Sequence, residues 1–327
     1  MKKLVSVILA LAILVCTAVC FTSCKTTEEY TVGICQLMQH EALDEATRGF
    51  KEGLTAALEK EGKTVKFDEQ MAQGDSTICT TIINSFVTND VDLIMANATP
   101  ALQSAYNATT KIPIVGTSIT EYGVALGIEN FSGTVGANVT GTSDLASLAT
   151  QAELLVETLD LEEGSKIGII YCASEPNSAY QVANIKTMLE DKGMVCTVNP
   201  FNDSNDLPSI AANVASTSDA IFLPNDNTVV SNAALIYSAC SPLDVPVFTG
   251  DTGSLKICGY ATLSASYYNI GYEAGEMAAD ILLGNKNIEE MPIGYDPNPK
   301  KYYNKAICEE LGIDIAKLEA LGFEEIK

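Results

Sequence analysis

The sequence predicts an α/β fold of two lobes, each a doubly wound parallel sheet, joined by a multi-strand hinge. Short apolar runs rich in β-branched residues occur in two sets of three along the 327 residues. A helical pattern separates each run from the next, which is typical of parallel strands covered by helices on both faces. The runs are residues 32–36, 92–97 and 112–116, then residues 166–171, 219–224 and 245–249.

The N-terminal end has the order of a lipoprotein export signal. Two lysines precede an apolar run over residues 4–21, and Thr22-Ser23-Cys24 follows it. We expect a signal peptide over residues 1–23, lipidation of Cys24 and a tether over residues 24–30. The protein would then be extracytoplasmic and held on the bacterial cell membrane by its lipid. An uncleaved membrane helix is the alternative, because the run has about the minimum spanning length.

The chain is strongly acidic, with 42 Asp and Glu against 19 Lys and Arg and a formal net charge of −23. A field of that sign repels phosphate backbones, so nucleic-acid binding is excluded as a function. A solvated acidic surface is the ordinary interpretation.

Ten cysteines occur in the chain, and Cys16, Cys20 and Cys24 fall in the export signal. The other seven are scattered without the close pairs that metal sites use. We expect them to be small buried hydrophobic residues, and we expect neither a metal nor a cofactor.

Helices are predicted between the strands. Apolar residues recur every three or four positions over residues 43–57, which predicts a helix ending near Gly62. Thr99-Pro100 begins another, since Pro is favoured in a first helical turn. The other predicted elements are helices marked by residues 78–86, 182–189, 210–214, 229–239 and 268–283, and a strand over residues 194–198.

Three crossovers between the lobes are expected. The glycine-rich residues 133–141 form the first, residues 249–253 the return, and the C-terminal segment from Pro292 the third. Lobe 1 then contains residues 31–140 with 254–290. Lobe 2 contains residues 141–253 with 291–327. Both lobes follow the signal and tether in the chain.

Ligands of open parallel sheets bind beyond the carboxyl ends of the strands. The segments expected there are rich in uncharged hydrogen-bonding groups and carboxylates but contain no Lys or Arg, which disfavours a phosphate-bearing ligand. They are residues 36–40, 73–75, 97–100, 117–120, 173–178, 225–227 and 250–252.

A carboxylate of a ligand could bind at the start of the Thr99-Pro100 helix, where backbone N–H groups are exposed. Thr99 could equally be only an N-cap. Thr117 and Ser118, at the end of the next strand, could complete this site. Asp226, between Asn225 and Asn227, could bind an ammonium group or cap a helix. The two half-sites together describe an amino acid.

His40 is the only histidine. It could contact a ligand or make a capping hydrogen bond, and no partner for acid–base catalysis accompanies it. Aromatic walls could come from Tyr122, Tyr171, Tyr180 or Phe201. No nucleophile elbow, phosphate-binding loop, zinc-binding helix or dinucleotide fingerprint occurs, so we expect a protein that is not an enzyme.

Several motifs together resemble a known family. The motifs are residues 39–44 with Gly49-Phe50, and residues 97–101, 138–144, 224–227 and 271–275. With them, the chain is similar to the substrate-binding lipoproteins of ABC transporters of the tryptophan/tyrosine-binding type. The resemblance, over residues 30–292, implies a type I periplasmic-binding fold that closes over an aromatic amino acid and delivers it to an ABC permease with a cytoplasmic ATPase.

Position by position, the resemblance implies that Thr99, Thr117 and Ser118 hold the ligand carboxylate and that Asp226 holds its amine. Asn177 and Ser178 match a loop that faces the cleft. Glu121-Tyr122 stands where many relatives have Asp-Pro, at the edge of the pocket that governs selectivity. The ligand-binding residues expected from sequence are Gln39, His40, Thr99, Thr117, Ser118, Asn177, Ser178, Asp226, Asn227 and Asp251.

The sequence therefore predicts the solute-binding lipoprotein of an ABC importer, with a small zwitterion, favouring an aromatic amino acid, in the cleft between the lobes. Three alternatives remain at this stage. They are a ligand-sensing lipoprotein for a membrane receptor, a binding protein for a nucleoside or another small solute, and an extracellular enzyme.

Overall fold

The computed structural model describes residues 29–327. The expected signal peptide and Cys24 lie outside the described residues. The strands are β1 Glu29–Gln36, β2 Thr64–Met71, β3 Leu93–Asn97, β4 Ile114–Ile119, β5 Val139–Ser143, β6 Lys166–Cys172, β7 Val195–Phe201, β8 Ala220–Leu223, β9 Val247–Thr249, β10 Ala261–Ser264, β11 Gly294–Tyr295, β12 Lys300–Tyr303 and β13 Glu324–Glu325.

Helices alternate with these strands. They are α1 Glu41–Lys60, α2 Ser76–Thr88, α3 Thr99–Ala108, α4 Tyr122–Leu126, α5 Leu148–Thr158, α6 Pro176–Glu190, α7 Leu207–Ala215, α8 Asn227–Ser231, α9 Ala233–Cys240, α10 Thr252–Ile257, α11 Tyr267–Leu282, α12 Lys305–Leu311 and α13 Ile315–Ala320. Short 3₁₀ turns occupy Ser204–Asp206, Ser241–Leu243 and Ile288–Glu290.

The strands form two sheets, one in each lobe. The first has the order β11-β5-β4-β3-β1-β2 and the second has the order β13-β12-β10-β9-β8-β6-β7. Neighbouring strands are parallel except β10 and β12, which are antiparallel. The predicted α/β fold of two doubly wound parallel-sheet lobes is confirmed.

Strand β2 was not predicted. It lies at the edge of the first sheet beside β1, and none of its side chains is fully buried. An edge strand of this kind lacks the continuous apolar run that marks the central strands. The sequence pattern therefore did not identify it.

The chain crosses between the lobes three times, as expected, but later than expected at each crossing. Residues 141–143 belong to β5, which pairs with β4 in the first sheet. Residues 254–264 contain β10, which pairs with β9 in the second sheet. Strand β11 still pairs with β5, so the third crossing follows Tyr295. The lobe boundaries expected at residues 140, 253 and 290 thus each precede the change of sheet.

Helices α1 and α11 pack backbone to backbone in lobe 1. A Cβ atom on Gly49 would lie 2.2 Å from the carbonyl oxygen of Tyr268, and one on Gly271 would lie 2.1 Å from that of Ala46. Because α11 begins directly after the second crossover, this contact holds the return of the chain against lobe 1.

Both lobes have buried apolar cores on the two faces of their sheets. Most of the cysteines outside the export signal lie in them as free thiols, as expected. Cys35, Cys79, Cys172, Cys240, Cys258 and Cys308 are buried, and Cys196 is half-buried. No helix within residues 29–327 has the length and apolar character needed to cross a bilayer.

Candidate functional site

A cavity lies between the lobes at the carboxyl ends of both sheets. Six residues predicted from sequence line it: His40, Ser118, Asn177, Asp226, Asn227 and Asp251. The rest of the wall is formed by Ala42, Leu43, Thr120, Asp144, Asn225, Val230 and Tyr267. Among residues 29–327, no Lys or Arg lines the cavity.

A β-bulge brings Ser118 into the wall. The register between β4 and β5 shifts between Gly116 and Ile119, and Ser118 has the left-handed φ of 56°. Bulges re-aim side chains, and left-handed backbone at a non-glycine residue is often found at binding sites. The buried hydroxyl of Ser118 has no hydrogen-bond partner in the described part of the chain.

His40 is the N-cap of α1. Its Nδ1 accepts from the backbone N–H of Leu43 at 3.5 Å, and its Nε2 faces Oδ1 of Asn227 in the other lobe at 3.3 Å. Burial lowers the pKa of His40, while the hydrogen bond to Asn227 opposes that effect. The two alternatives for His40, cap and cleft contact, are both realised.

Asp144 directly follows β5 at the first crossover. Its Oδ1 accepts from the hydroxyl of Thr120 at 3.1 Å and its Oδ2 from the hydroxyl of Tyr267 at 2.9 Å. Burial raises the pKa of Asp144, and these two hydrogen bonds act in the opposite direction. Both carboxylate oxygens are therefore occupied within lobe 1.

Asp226 is the N-cap of α8. Its Oδ1 accepts from the N–H of Val229 at 2.8 Å, and its Oδ2 accepts from the N–H of Cys172 at 2.6 Å. Burial raises the pKa of Asp226 well above its usual range, and the nearby carboxylate of Glu175 adds to the rise. The capping role weighed for Asp226 is present, and both oxygens already have backbone donors.

Asp251 differs from Asp226 in one respect. Its Oδ1 accepts from the N–H of Ser254 at 2.8 Å, as the N-cap of α10. Its Oδ2 is buried and has no hydrogen-bond partner among residues 29–327. Burial raises the pKa of Asp251 to about 6. The cavity wall therefore contains one carboxylate with an oxygen free to accept.

Two asparagines add further free acceptors. The Nδ2 of Asn177 donates to the backbone oxygen of Asn225 at 3.0 Å, and the Nδ2 of Asn225 donates to the backbone oxygen of Asp144 at 3.3 Å. Within the described chain, Oδ1 of each is buried without a partner. Gln181 supports this corner, because its side chain accepts from the N–H of Asn225 at 3.0 Å.

Direct contacts join the lobes around the cavity, so the cleft is closed. They are His40 with Asn227 at 3.3 Å, Thr120 with Gln181 at 3.5 Å, Asp144 with Asn225 at 3.3 Å, Met38 with Ser231 at 3.5 Å, and an ion pair of Glu41 with Lys256.

The closed cavity is small, with about 10 Å³ for the centre of a water-sized sphere. That is about the space one water molecule needs. A ligand the size of an amino acid requires the lobes to separate further. Ala42, Leu43 and Val230 give one part of the wall an apolar character.

Four predicted residues do not line the cavity. Gln39 is exposed and faces a different surface depression, beside Arg48. Thr99 is buried and is the first residue of α3, with Ala98 as its N-cap, and the hydroxyl of Thr117 lies 3.0 Å from that of Thr142. The hydroxyl of Ser178 donates to the backbone oxygen of Asn225 at 3.4 Å, behind the wall.

The suggested aromatic walls are also elsewhere. Tyr122 is in the core of lobe 1, where its hydroxyl donates to the backbone oxygen of Thr142, and Phe201 is in the core of lobe 2. Neither they nor Tyr171 and Tyr180 line the cavity; the aromatic residue that does is Tyr267.

Sequence reasoning missed several wall residues. Thr120 and Asn225 lie in loops that the sequence predicts at strand ends, but no motif marks their side chains as ligand-binding. Asp144 and Tyr267 lie at the first two crossovers, whose positions were misjudged. Residues 29–327 contain no group of three or more His, Cys, Asp and Glu side chains suited to a metal ion.

Comparison with known proteins gives a consistent result. The family model described as ABC transporter substrate binding protein matches residues 31–321. The chain is 32% identical over 300 residues to a tyrosine-binding protein of Clostridioides difficile, covering 92% of this chain and 85% of the relative.

Solved structures that share the fold include two with about 30% identity. One is an ABC domain in complex with L-Trp from Streptococcus pneumonia, with 29% identity, a TM-score of 0.82, and coverage of 90% of this chain and 100% of that one. The other is the ligand-free, open structure of a substrate-binding protein with adhesive properties from Clostridium difficile, with 30% identity, a TM-score of 0.69, and coverage of 91% and 100%. The lower score with the open structure agrees with the closed cleft of this chain.

Proposed function

The chain belongs to the ABC transporter substrate-binding protein family, and we propose that it captures an amino acid, favouring an aromatic one, for uptake through an ABC importer. The family consists of solute-binding proteins rather than enzymes, and its members act outside the cytoplasm. The fold is that of type I periplasmic-binding proteins. We also propose that lipid on Cys24 anchors the protein to the membrane.

The observation that carries the amino-acid proposal is the free Oδ2 of Asp251. A buried carboxylate oxygen without a partner is costly unless a cation or donor reaches it. A ligand ammonium group provides one positive charge and three donors. Oδ1 of Asn225 and Oδ1 of Asn177 are further acceptors in the same wall. We therefore assign the ammonium to Asp251 in place of Asp226.

The ligand carboxylate is assigned to lobe 1. Ser118 offers a buried hydroxyl without a partner, at the end of β4. His40, at the start of α1, would be a second donor once the lobes separate and its Nε2 leaves Asn227. Thr99 and Thr117 would act behind Ser118 by holding the strand ends in place.

The apolar wall formed by Ala42, Leu43 and Val230 is where the ligand side chain would lie. Support for an aromatic side chain comes from the relatives, one named as binding tyrosine and one solved with L-Trp. Tyr267 provides a ring in the same wall. The lobes would close onto the ligand from a more open arrangement than the one described, because both half-sites contact it only when both lobes lie against it.

The test is calorimetric titration of the protein from residue 25 onward with the twenty amino acids and with nucleosides. Saturable binding of tyrosine, tryptophan or phenylalanine is expected. Asp251→Asn should weaken it by about 2–5 kcal/mol, because it removes the charge partner of the ammonium. Binding of nucleosides alone would overturn the proposal.

Asp226→Asn is the comparison for Asp251→Asn. It should reduce stability more than affinity, because Asp226 accepts from two backbone N–H groups. A loss of affinity in Asp226→Asn alone, with none in Asp251→Asn, would return the ammonium to Asp226.

A further inference from the structure

Glu175 lies just outside the cavity wall, in the loop before α6, and is 5% exposed. Its Oε2 accepts from the Nδ2 atoms of Asn177 at 3.2 Å and Asn227 at 2.8 Å, and from the N–H of Asn227 at 3.0 Å. Its Oε1 accepts from the N–H and hydroxyl of Thr228 at 2.9 and 2.7 Å. No other carboxylate beside the cavity accepts as many described hydrogen bonds.

These contacts constrain the direction of two amides. An asparagine side chain has a donor end and an acceptor end of nearly equal size, so its partners decide which way it points. An ionised carboxylate only accepts, and its hydrogen bonds are stronger than those between neutral groups. Glu175 therefore holds the NH₂ groups of Asn177 and Asn227 toward itself and leaves their oxygens for other contacts.

The oxygens that point away from Glu175 belong to two residues of the cavity wall. Oδ1 of Asn227 faces Nε2 of His40 across the cleft at 3.3 Å. Since Nδ1 of His40 accepts from Leu43, Nε2 is the nitrogen that carries the proton in the neutral ring. Oδ1 of Asn177 is one of the unpartnered acceptors of the wall.

We propose that Glu175 is a positioning residue that fixes the amide direction of Asn227 and thereby holds His40 as the Nε2–H tautomer in contact with the opposite lobe. It orients the amide of Asn177 together with the backbone oxygen of Asn225. The chain of contacts runs from Glu175 through Asn227 to His40. It rests on the proposed function only in that the ligand binds in the same cavity.

The test uses Glu175→Gln in the full chain, in detergent micelles and labelled with ¹⁵N-histidine. Because His40 is the only histidine among the 327 residues, its two ring nitrogens give unambiguous signals. In the unsubstituted protein, Nε2 should be protonated and Nδ1 unprotonated. Glutamine is neutral and keeps one good acceptor oxygen for the donors of Asn177, Asn227 and Thr228. Asn227 therefore loses the charged acceptor that holds its amide in one direction, and the signals should show a mixture of tautomers.

A second substitution provides a rescue. In Glu175→Gln with Asn227→Asp, the new carboxylate can accept from Gln and from Nε2–H of His40 together, so the single tautomer should return. Glu190→Gln is the control, because Glu190 is exposed at the end of α6 and pairs with Lys186. An unchanged tautomer in a folded Glu175→Gln protein would overturn the proposal. If that variant does not fold, failure of the double variant to show the single Nε2–H tautomer would overturn it.

The NMR readout needs no ligand, so it stands apart from the proposed function. In a second arm, tyrosine binding to Glu175→Gln should weaken by about tenfold or more, the effect of losing a hydrogen bond to a charged group. Absence of tyrosine binding to every form would count against the proposed ligand and leave the tautomer result intact.

Discussion

The hydroxyl of Tyr267 donates to Oδ2 of Asp144 over 2.9 Å and so joins two of the three segments that connect the lobes. Asp144 directly follows β5, where the chain leaves lobe 1 at the first crossover. Tyr267 begins α11, where the chain returns to lobe 1 after the second crossover. The backbone oxygen of Asp144 also accepts from Asn225 of lobe 2. Asp144 thus contacts the hinge and the cavity through its carboxylate and the opposite lobe through its backbone oxygen.

Tyr267→Phe tests this connection. The substitution leaves Oδ2 of buried Asp144 without its donor, which should reduce the free energy of unfolding by about 1–3 kcal/mol. Ligand affinity should fall as well, since Asp144 and Tyr267 both line the cavity. Urea unfolding and calorimetric titration measure the two effects.

Tyr260→Phe is the matched control. Its hydroxyl is also buried and lies 2.6 Å from that of Thr158, but within lobe 2 and away from the cavity. It should lower stability and leave affinity unchanged. Equal losses of affinity in the two variants would show that the hinge connection has no special role.

Asp251 predicts a dependence of stability on pH. Burial raises its pKa from 3.8 to about 6, so the folded protein keeps a proton that the unfolded chain releases between these values. The stability due to this group is fully present below about pH 4 and is lost as pH rises through about 6. As pH rises from 4 to 7, the Asp251→Asn protein should therefore become more stable than the unsubstituted protein, and the difference should reach about 3 kcal/mol near pH 7.

The affinity for the ligand should change with pH in the direction opposite to the stability. An ammonium group binds the ionised form of Asp251, so affinity should rise between pH 5 and pH 7 and should stay flat in Asp251→Asn. Thermal unfolding and titration at several pH values test both effects. Asp314→Asn, at an exposed N-cap, is the control. Parallel pH profiles for Asp251→Asn and the unsubstituted protein would refute the assignment.

The ion pair between Glu41 of α1 and Lys256 of α10 spans the cleft on the surface. Exposed pairs of this kind contribute less than about 1 kcal/mol, and salt screens them. Glu41→Gln and Lys256→Gln should each weaken ligand binding a few-fold at low salt, and the effect should disappear at high salt. A double-mutant cycle by titration isolates the pair.

Lys186→Gln is the comparison for that cycle, because its ion pair with Glu190 lies within one helix. It should change neither affinity nor its salt dependence. Additive effects of the Glu41 and Lys256 substitutions would mean that this pair does not stabilise the closed form.

The central strands and the loops after them could be predicted because their apolar runs are continuous. That is why Ser118, Asp226 and Asp251 were placed at strand ends. The first two crossovers were misplaced because β5 and β10 read as VTGTS and ATLS, with few apolar residues. Their buried threonines bond to backbone instead, as Thr142 does to the carbonyl oxygen of Ile270 at 3.0 Å.

The choice between Asp226 and Asp251 lay beyond sequence reasoning. Both follow a strand of lobe 2 and both cap the next helix. They differ because the N–H of Cys172, from a neighbouring strand, occupies the second oxygen of Asp226. Nothing in the local sequence of either aspartate shows whether a distant backbone group will reach it.

The glycines between α1 and α11 give the last prediction. In Gly49→Ala, the methyl group would lie 2.2 Å from the carbonyl oxygen of Tyr268, which cannot move without moving α11. Overpacking of this kind costs about 1–3 kcal/mol, and Ala gains about 1 kcal/mol in helix propensity. We expect a net loss of stability in urea unfolding. Affinity should also fall, because α11 carries Tyr267 into the cavity wall. Glu59→Ala, at an exposed position of α1, should change neither quantity. A Gly49→Ala protein as stable as the unsubstituted one would show that the two helices can separate without cost, and the position of Tyr267 would then not depend on their contact.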